Sequence, residues 1–503
     1  MSRTWVLVAA ILGSSMSFVD ASAVNVALPI MQRELHANSA QVQWVVEGYA
    51  LFLAALVLVG GSLGDILGRK KMFVLGVVMF AIASGACAIA PTIVLLIVAR
   101  CVQGIGGALA VPESLALISA TYTGDERGKA IGTWSGFASI TGAAGPLIGG
   151  VLAQHASWRW VFVINIPIAI AVVMISAVHV PESKDDKAVR GIDWSGALLA
   201  TAGLGTLVYG LIRLQTAASD RVGLAAAIVG VLVLVLFGYA QTRARHPMMP
   251  LALFRSRTFS VANIYTLLIY MALGGSLYFF PFVLIDVQKY TPTAAGAAGL
   301  PFVVLVFVLS RWSGSLLPRL GARLPLVIGG ALTGVAFLMY SLPGIGGAYW
   351  TTYFPAVCML GIGASFFVAP LTTTVFDASD PSQSGIASAI NNAVSRASGL
   401  LAIAVLGIIL ATVFSRGFDT RIEARAVAPA TITRLTNERD RLTPGTVPPD
   451  IPAADRPAVA LALAGGYLAG YRAVMYTSAG ISFAAALIAL MLLPFKPRAE
   501  AQS

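Results

Sequence analysis

Gly61-Ser62-Leu63-Gly64-Asp65-Ile66-Leu67-Gly68-Arg69-Lys70 returns 253 residues later as Gly314-Ser315-Leu316-Leu317-Pro318-Arg319-Leu320-Gly321-Ala322-Arg323. Five of the ten positions are identical, and each copy lies between two long apolar runs. Glycines flanking a polar, basic stretch read as a tight turn between two membrane spans, where a basic excess marks the cytosolic side. The recurrence reads as a duplicated six-helix unit, an arrangement that transporters use to build a cavity at the interface between repeats.

Composition agrees. Of the 503 residues, 57% are apolar and only 11% charged, against about 25% charged in soluble domains. Mean hydropathy is +0.83. These values exclude a disordered chain, a nucleic-acid-binding domain and almost every soluble enzyme. A span needs about 20 mostly apolar residues. That length predicts fourteen helices, at 5–30, 42–64, 72–91, 93–120, 129–153, 159–180, 194–213, 222–242, 258–285, 294–317, 324–343, 350–374, 385–414 and 471–494. The expected fold is an all-α membrane protein of two six-helix bundles plus two inserted helices. Its divisions are an N-terminal bundle at 1–192, the inserted pair and linker at 193–257, and a C-terminal bundle at 258–503 with an outer loop at 415–470.

With the N-terminus in the cytosol, cytosolic loops hold seventeen Lys/Arg and the short outer loops five. That bias predicts cytosolic termini and a multi-pass protein of the inner membrane. It also turns the net charge of +11 into a topology signal. Ala21-Ser22-Ala23 resembles a signal-peptidase site, but the apolar run continues to Ile30, so the first segment reads as a retained helix. Two readings stay open for 415–470: a floppy outer loop, or a short helical hairpin over the outer mouth.

Cys87, Cys101 and Cys358 lie within apolar runs, and His36, His155, His179 and His246 are scattered. No disulfide framework, metal site or cofactor is expected. Gly361-x-Gly363 has no following Lys, so no phosphate loop is read.

Several motifs, in order along the chain, carry a family likeness. Gly61-x-Leu63-x-Asp65-x-x-Gly68-Arg69-Lys70 resembles the loop signature of the major facilitator superfamily. Arg100-x-x-Gln103-Gly104-x-Gly106-Gly107-Ala108 is similar to its fourth-helix motif, and Gly145-Pro146-x-x-Gly149-Gly150 to the fifth-helix motif of its antiporters. Phe18-Val19-Asp20 with Val24-Asn25-Val26-Ala27-Leu28-Pro29, Trp158-Arg159-Trp160 with Asn165-x-Pro167, and Leu253-Phe254-Arg255 resemble the 14-helix drug:proton antiporters of the EmrB/QacA type. The resemblance implies a latch at Gly61, Asp65, Gly68 and Arg69 that holds the outward-facing state, and a proton-transfer role for Arg100. Ile66, Thr141 and Pro318 depart from the patterns. Pro318 removes the acid of the second loop copy, so a carboxylate latch is expected only in the first half.

Charges inside spans cost roughly 3 kcal/mol each, so those present need a reason. Asp20, Glu47 and Glu113 are the candidate acids, and Arg100, Arg311 and Arg396 the bases. Desolvation favours a protonated carboxyl, which makes Asp20 and Glu113, with Arg100 as electrostatic partner, the expected proton-coupling groups. Substrate contacts are expected from Asp20, Glu47, Glu113, Tyr265, Tyr270, Asn391 and Asn392. Competing readings are snorkelling for Glu47 and Arg311, interhelical hydrogen bonding for the stripe Ser384, Ser388, Asn391, Asn392, Ser395 and Arg396, lipid- or interface-facing aromatics, and plain helix packing for Gly145 and Gly149. The titratable acids all fall in the first half.

The expected function is proton-coupled export of lipophilic, cationic small molecules across the inner membrane by alternating access, not enzymatic catalysis. The partners are that small molecule, protons and membrane lipids, with no nucleic acid, and the chain is read as a monomer. Alternatives are a lipid or amphipathic-metabolite flippase on the same fold, or a non-transporting sensor supported by 415–470 alone.

Overall fold

The computed structural model describes residues 3–184, 191–217, 219–379, 384–425, 427–437, 447–448 and 450–494. Among them are fourteen helices long and apolar enough to cross a membrane. The helices that carry these spans are α1 (Arg3–Glu34), α2 (Ser39–Leu67), α3 (Arg69–Ala88), α4 (Ile93–Thr121), α5 (Gly124–His155), α6 (Trp160–His179), α7 (Trp194–Thr216), α8 (Arg221–Arg243), α9 (Arg257–Val287), α10 (Leu300–Leu320, whose spanning apolar stretch, Pro292–Ser310, begins in the short helix before it), α11 (Arg323–Tyr340), α12 (Phe354–Asp377), α13 (Ser384–Glu423) and α14 (Arg456–Leu492). Each overlaps one of the fourteen apolar runs, and the same number of spans emerges.

The chain forms two compact units. One comprises Met1–Met248 with Tyr278–Ala297 and Gly407–Gly470; the other comprises Met249–Leu277, Ala298–Leu406 and Tyr471–Ser503. In the first, α4 packs against α2 and α3, α1 against α5, and α7 against α8. In the second, α12 packs against α10 and α11.

Small residues make these approaches possible, as expected where lipid offers no hydrophobic drive between helices. A Cβ on Gly76 would fall 2.6 Å from the Ala110 nitrogen, and one on Gly106 would fall 2.7 Å from the Phe80 nitrogen. Both turn glycines of the duplicated stretch have a positive φ: +120° at Gly68 and +69° at Gly321. A side chain is rarely tolerated there, so the recurrence of glycine reflects a recurring turn.

The inserted pair α7–α8 is tied at both ends. Asp193 caps α7, accepting from the Gly196 N–H at 2.7 Å and the Ser195 hydroxyl at 2.8 Å, and from Gln241 of α8 at 2.5 Å. Burial opposes the charged form of Asp193, but these donors and the Met248 N–H outweigh it and hold the carboxyl below its usual range. At the far turn Asp220 accepts from Arg213 at 2.6 Å and from the Val222 N–H at 3.0 Å. The outer face of α8 is left apolar and exposed, with Leu224, Ile228, Leu232 and Val235 each more than half exposed. In a membrane protein that face meets lipid.

The segment 415–470 is not a plain loop. Helix α13 runs 40 residues, about 60 Å at 1.5 Å per residue, twice the thickness of a bilayer core. Helix α14 begins at Arg456 rather than near 471. Between them lies a short helix, Pro429–Asn437. Phe418, Ile422, Leu435, Ile451, Val459 and Leu463 form a buried apolar cluster. Thr431 donates to Asp455 at 2.7 Å, and Arg434 pairs with Asp450. The described residues here are thus a small packed helical element, nearer the hairpin reading than the loop.

Candidate functional site

Asp20, on α1, is fully buried, as are Gln103 on α4, Ser84 on α3 and Asn165 at the start of α6's main helical segment; Arg100 is 1% exposed. Polar groups this deep require partners, and they find one another. Arg100 forms an ion pair with Asp20 Oδ2 and donates to Gln103 Oε1 at 2.6 Å and to the Val45 carbonyl at 2.9 Å. Gln103 donates to Asp20 Oδ1 at 3.0 Å and to Ser84 at 2.8 Å. Asn165 donates to the same Asp20 oxygen at 3.2 Å. The guanidinium lies over the Tyr49 ring, 4.3 Å from its centroid, a favourable cation–π placement.

Arg100 and Gln103 are three apart on one helix, as their spacing requires. Ser84, Tyr49 and Asn165 join them as residues that motif reading did not place in the site. The Asn165-x-Pro167 motif carried the only sequence signal for one of them. Ser84 and Tyr49 had none, because a lone hydroxyl in an apolar span is common.

Glu113 lies elsewhere. Thirteen positions separate it from Arg100 along α4, about 20 Å of helix, so the structure does not bring Asp20 and Glu113 together. A Cβ on Gly64 would overlap the Glu113 carboxyl. Neither Glu113 oxygen has a hydrogen-bond partner among the described residues, and Asp65, Arg69 and Glu182 lie within electrostatic reach. Glu113 thus belongs to the loop motif at the end of the bundle that carries Arg3.

That motif is a built turn. Asp65 accepts from Arg69 Nε and Nη2 at 2.9 and 2.8 Å. Glu182, beyond α6, accepts from the backbone N–H of Lys70 at 3.0 Å and of Lys71 at 3.2 Å. A carboxylate there meets the positive end of the α3 dipole. Arg69 N–H donates to the Ser183 carbonyl at 2.9 Å. Gly68 is needed twice, since its φ is positive and a Cβ would fall 2.7 Å from the Glu182 carboxyl. Gly61 is less constrained, with only Pro112 Cβ near, at 3.7 Å. Glu182 was not anticipated; only its position just after a span hinted at it.

The Gly145–Gly150 motif packs on two sides. Gly145 abuts Ser22, and a Cβ on Gly149 would fall 2.8 Å from Ala23 Cα. On the other side Gly150 meets Pro292, and Gly296 meets Pro146, where a short helix, Pro292–Ala297, lies against α5.

Glu47 is fully buried; Gln43 donates to its Oε1 at 3.4 Å, and Oε2 has no partner among the described residues. Burial rules out the snorkelling reading. In the second unit, Tyr265 donates to the Leu326 carbonyl at 2.7 Å, and Tyr265 and Tyr270 both meet Phe367 edge-on, with centroids 6.2 and 6.4 Å apart. Asn391 donates to Thr266 at 2.7 Å and to Asn263 at 3.1 Å, an interhelical bond, whereas Asn392 bonds its own helix at the Ser388 carbonyl. The side chains of Arg311 and Ser384 lie outside the described residues.

Among the described residues, two buried acids lie beyond the six span charges: Asp455, bonded to Thr431 in the 415–470 element, and Asp286. Asp286 is 3% exposed, within a π-helical turn at Val283–Val287, and pairs with Arg33 at 3.6 Å. Asp286 sits just past the predicted ninth span, 258–285, and so lies outside the expectation that acids away from span ends fall in the first half.

Three kinds of comparison bear on this arrangement. The Major Facilitator Superfamily family profile matches residues 10–403. The tetracenomycin C resistance and export protein of Streptomyces glaucescens is 30% identical over 503 residues, covering 98% of this chain and 93% of that protein. The multidrug resistance protein Stp of Mycobacterium tuberculosis (strain ATCC 25618 / H37Rv) is 35% identical over 434 residues, covering 85% and 80%. Among solved structures, a bacterial homologue of the human lysosomal transporter Spinster, inward-facing and unoccupied, superposes with TM-score 0.65 at 17% identity, over 97% of this chain and 98% of that one. With fourteen spans and these matches, the chain is a multi-pass membrane protein that belongs to the major facilitator superfamily.

Proposed function

We propose that this protein exports lipophilic, cationic compounds across the cell's inner membrane, driven by proton entry. It is a transporter rather than an enzyme, and it works as a monomer with both termini in the cytosol. The halves that rock in alternating access are the six-helix bundles at 1–192 and 258–503, with 193–257 as the inserted pair and linker. Relatives named for resistance, one of them also for export, support the reading of a drug exporter.

The buried Asp20–Arg100 pair carries the proposal. A guanidinium keeps its proton, so we assign the transported proton to Asp20. A proton on Asp20 removes the counter-charge of Arg100 and turns one carboxyl oxygen from acceptor into donor. Gln103, Asn165 and Ser84 must then re-pair. Breaking a buried ion pair from one side is worth about 3–5 kcal/mol. One charge falling through 100 mV supplies about 2.3 kcal/mol, comparable with the network's rearrangement. Glu113 and the Asp65–Arg69 turn form a second, separate charged centre that serves as the conformational latch.

In everted vesicles with an imposed pH gradient, Asp20→Asn abolishes uphill transport of a cationic dye. Asp20→Asn is also less stable, because it strands Arg100. The double variant Asp20→Asn/Arg100→Gln regains stability, still fails to pump uphill, and retains downhill exchange. Normal uphill export by the double variant sinks the role given to Asp20.

A further inference from the structure

The first unit contains a cavity of about 270 Å³ at the end where α1 turns into α2. Its walls include Gln43 on α2, Gln215 at the end of α7, Tyr278 and Phe282 on α9, Phe414 on α13 and Tyr467 on α14. Thus the inserted pair and the outer helical element both contribute to it. It is the opposite end of α1 from Arg3, and it is distinct from the Asp20 network.

Three observations point to a ligand. The aromatic walls form two ring pairs: Tyr278 with Phe282 at 5.7 Å and Phe414 with Tyr467 at 6.2 Å between centroids. Aromatic faces attract flat and cationic groups. Beneath Gln43, about 6 Å deeper along α2, lies Glu47, fully buried and with Oε2 lacking a donor among the described residues. Tyr278, from another helix, also lies within electrostatic reach of Glu47. A buried carboxylate oxygen without a partner costs free energy until a donor reaches it. The Gln43–Glu47 hydrogen bond, at 3.4 Å, is long enough to yield to a better donor.

We infer that this cavity is an exit-side binding site for aromatic organic cations. The body lies between the ring pairs, and a cationic N–H donor replaces Gln43 on Glu47. This rests on the export reading and adds to it a place where the cargo pauses after the Asp20 centre.

The test uses the full chain in right-side-out vesicles, with ethidium as the probe. Ser39, exposed at the rim, is changed to Cys, and its labelling by a membrane-impermeant thiol reagent is followed, with protein retaining Ser39 as background. Ethidium is expected to slow labelling of the Ser39→Cys protein at least tenfold. Adding Glu47→Gln, or separately Gln215→Leu, is expected to raise the ethidium concentration needed by about tenfold. Two variants on different helices guard against misfolding of one. Adding Asp20→Asn is expected to leave the protection unchanged while export is lost. Absence of protection, or protection unaltered by both cavity substitutions, overturns the site. Protection lost with Asp20→Asn assigns the effect to the Asp20 centre and also overturns it. Intact protection with normal export by Asp20→Asn overturns the coupling role but not the site.

Discussion

Gly68 concentrates several demands on one residue. Its φ of +120° puts it where a Cβ is strained, and the Glu182 carboxyl occupies the space a Cβ would take. Strain of this kind costs about 1–3 kcal/mol. Gly68→Ala is therefore expected to lower thermal stability in detergent by that order and to reduce the transport rate, since it pushes Glu182 off the α3 N-terminus. Adding Glu182→Ala relieves the steric overlap but not the φ strain, so the double variant should regain only part of the loss; full recovery would place the whole effect at the carboxyl. Gly61 offers a contrast within the same motif. With nothing closer than Pro112 Cβ at 3.7 Å, Gly61→Ala should be tolerated. Motif reading treats the two glycines alike, and only backbone geometry separates them.

At the scale of the element, the inserted pair is the clearest case. α7 and α8 form a hairpin whose ends are fastened by Asp193 and Asp220. Glycines line its seam: a Cβ on Gly230 would fall 2.6 Å from Leu207 Cα, and one on Gly210 2.9 Å from Ala227 Cα. Losing a carboxylate cap costs about 1 kcal/mol, and Asp193 also holds Gln241. Asp193→Ala is therefore expected to lower the melting temperature of the detergent-solubilised protein by a few degrees. The pH dependence has a definite sign. The folded-state value of Asp193 is held below its ordinary 3.8, so its contribution is complete above about pH 4 and is lost as pH falls through the depressed value. The gap between wild type and Asp193→Ala should thus be present at neutral pH and close only in strong acid. A gap that widened on acidification would mean that the carboxylate is not what fastens the hairpin.

Across the whole molecule, what was legible followed from the solvent. A bilayer fixes span length and forbids unpaired backbone, so apolar runs alone placed fourteen helices. Side-chain partnerships had no such ruler. Arg100 and Gln103 could be placed on one face of α4, but Asn165 reaches Asp20, and Ser84 reaches Gln103, from helices whose rotation no sequence period fixes. Glu113 lies beside the loop motif rather than Asp20 for the same reason. The outer ends of α13 and α14 were read short, because 415–470 mixes charges with apolar positions and fails a hydropathy ruler, although Phe418, Ile422 and Leu463 pack as a core. Orientation rests on charge alone. Seventeen Lys/Arg in one set of loops against five in the short loops opposite predicts which side each faces, since basic loops resist translocation and long segments such as 415–470 cross regardless of charge. A fluorescent protein fused after Ser503 should therefore fluoresce, because it folds in the cytosol. Alkaline phosphatase inserted within 438–446 should be active, because it requires the outer side. Moving basic residues Lys70 and Lys71 to the α3–α4 turn should weaken both signals by mixing orientations. A dark C-terminal fusion with an active phosphatase at the same end would reverse the assignment, and with it the side from which the cavity beside Ser39 is reached.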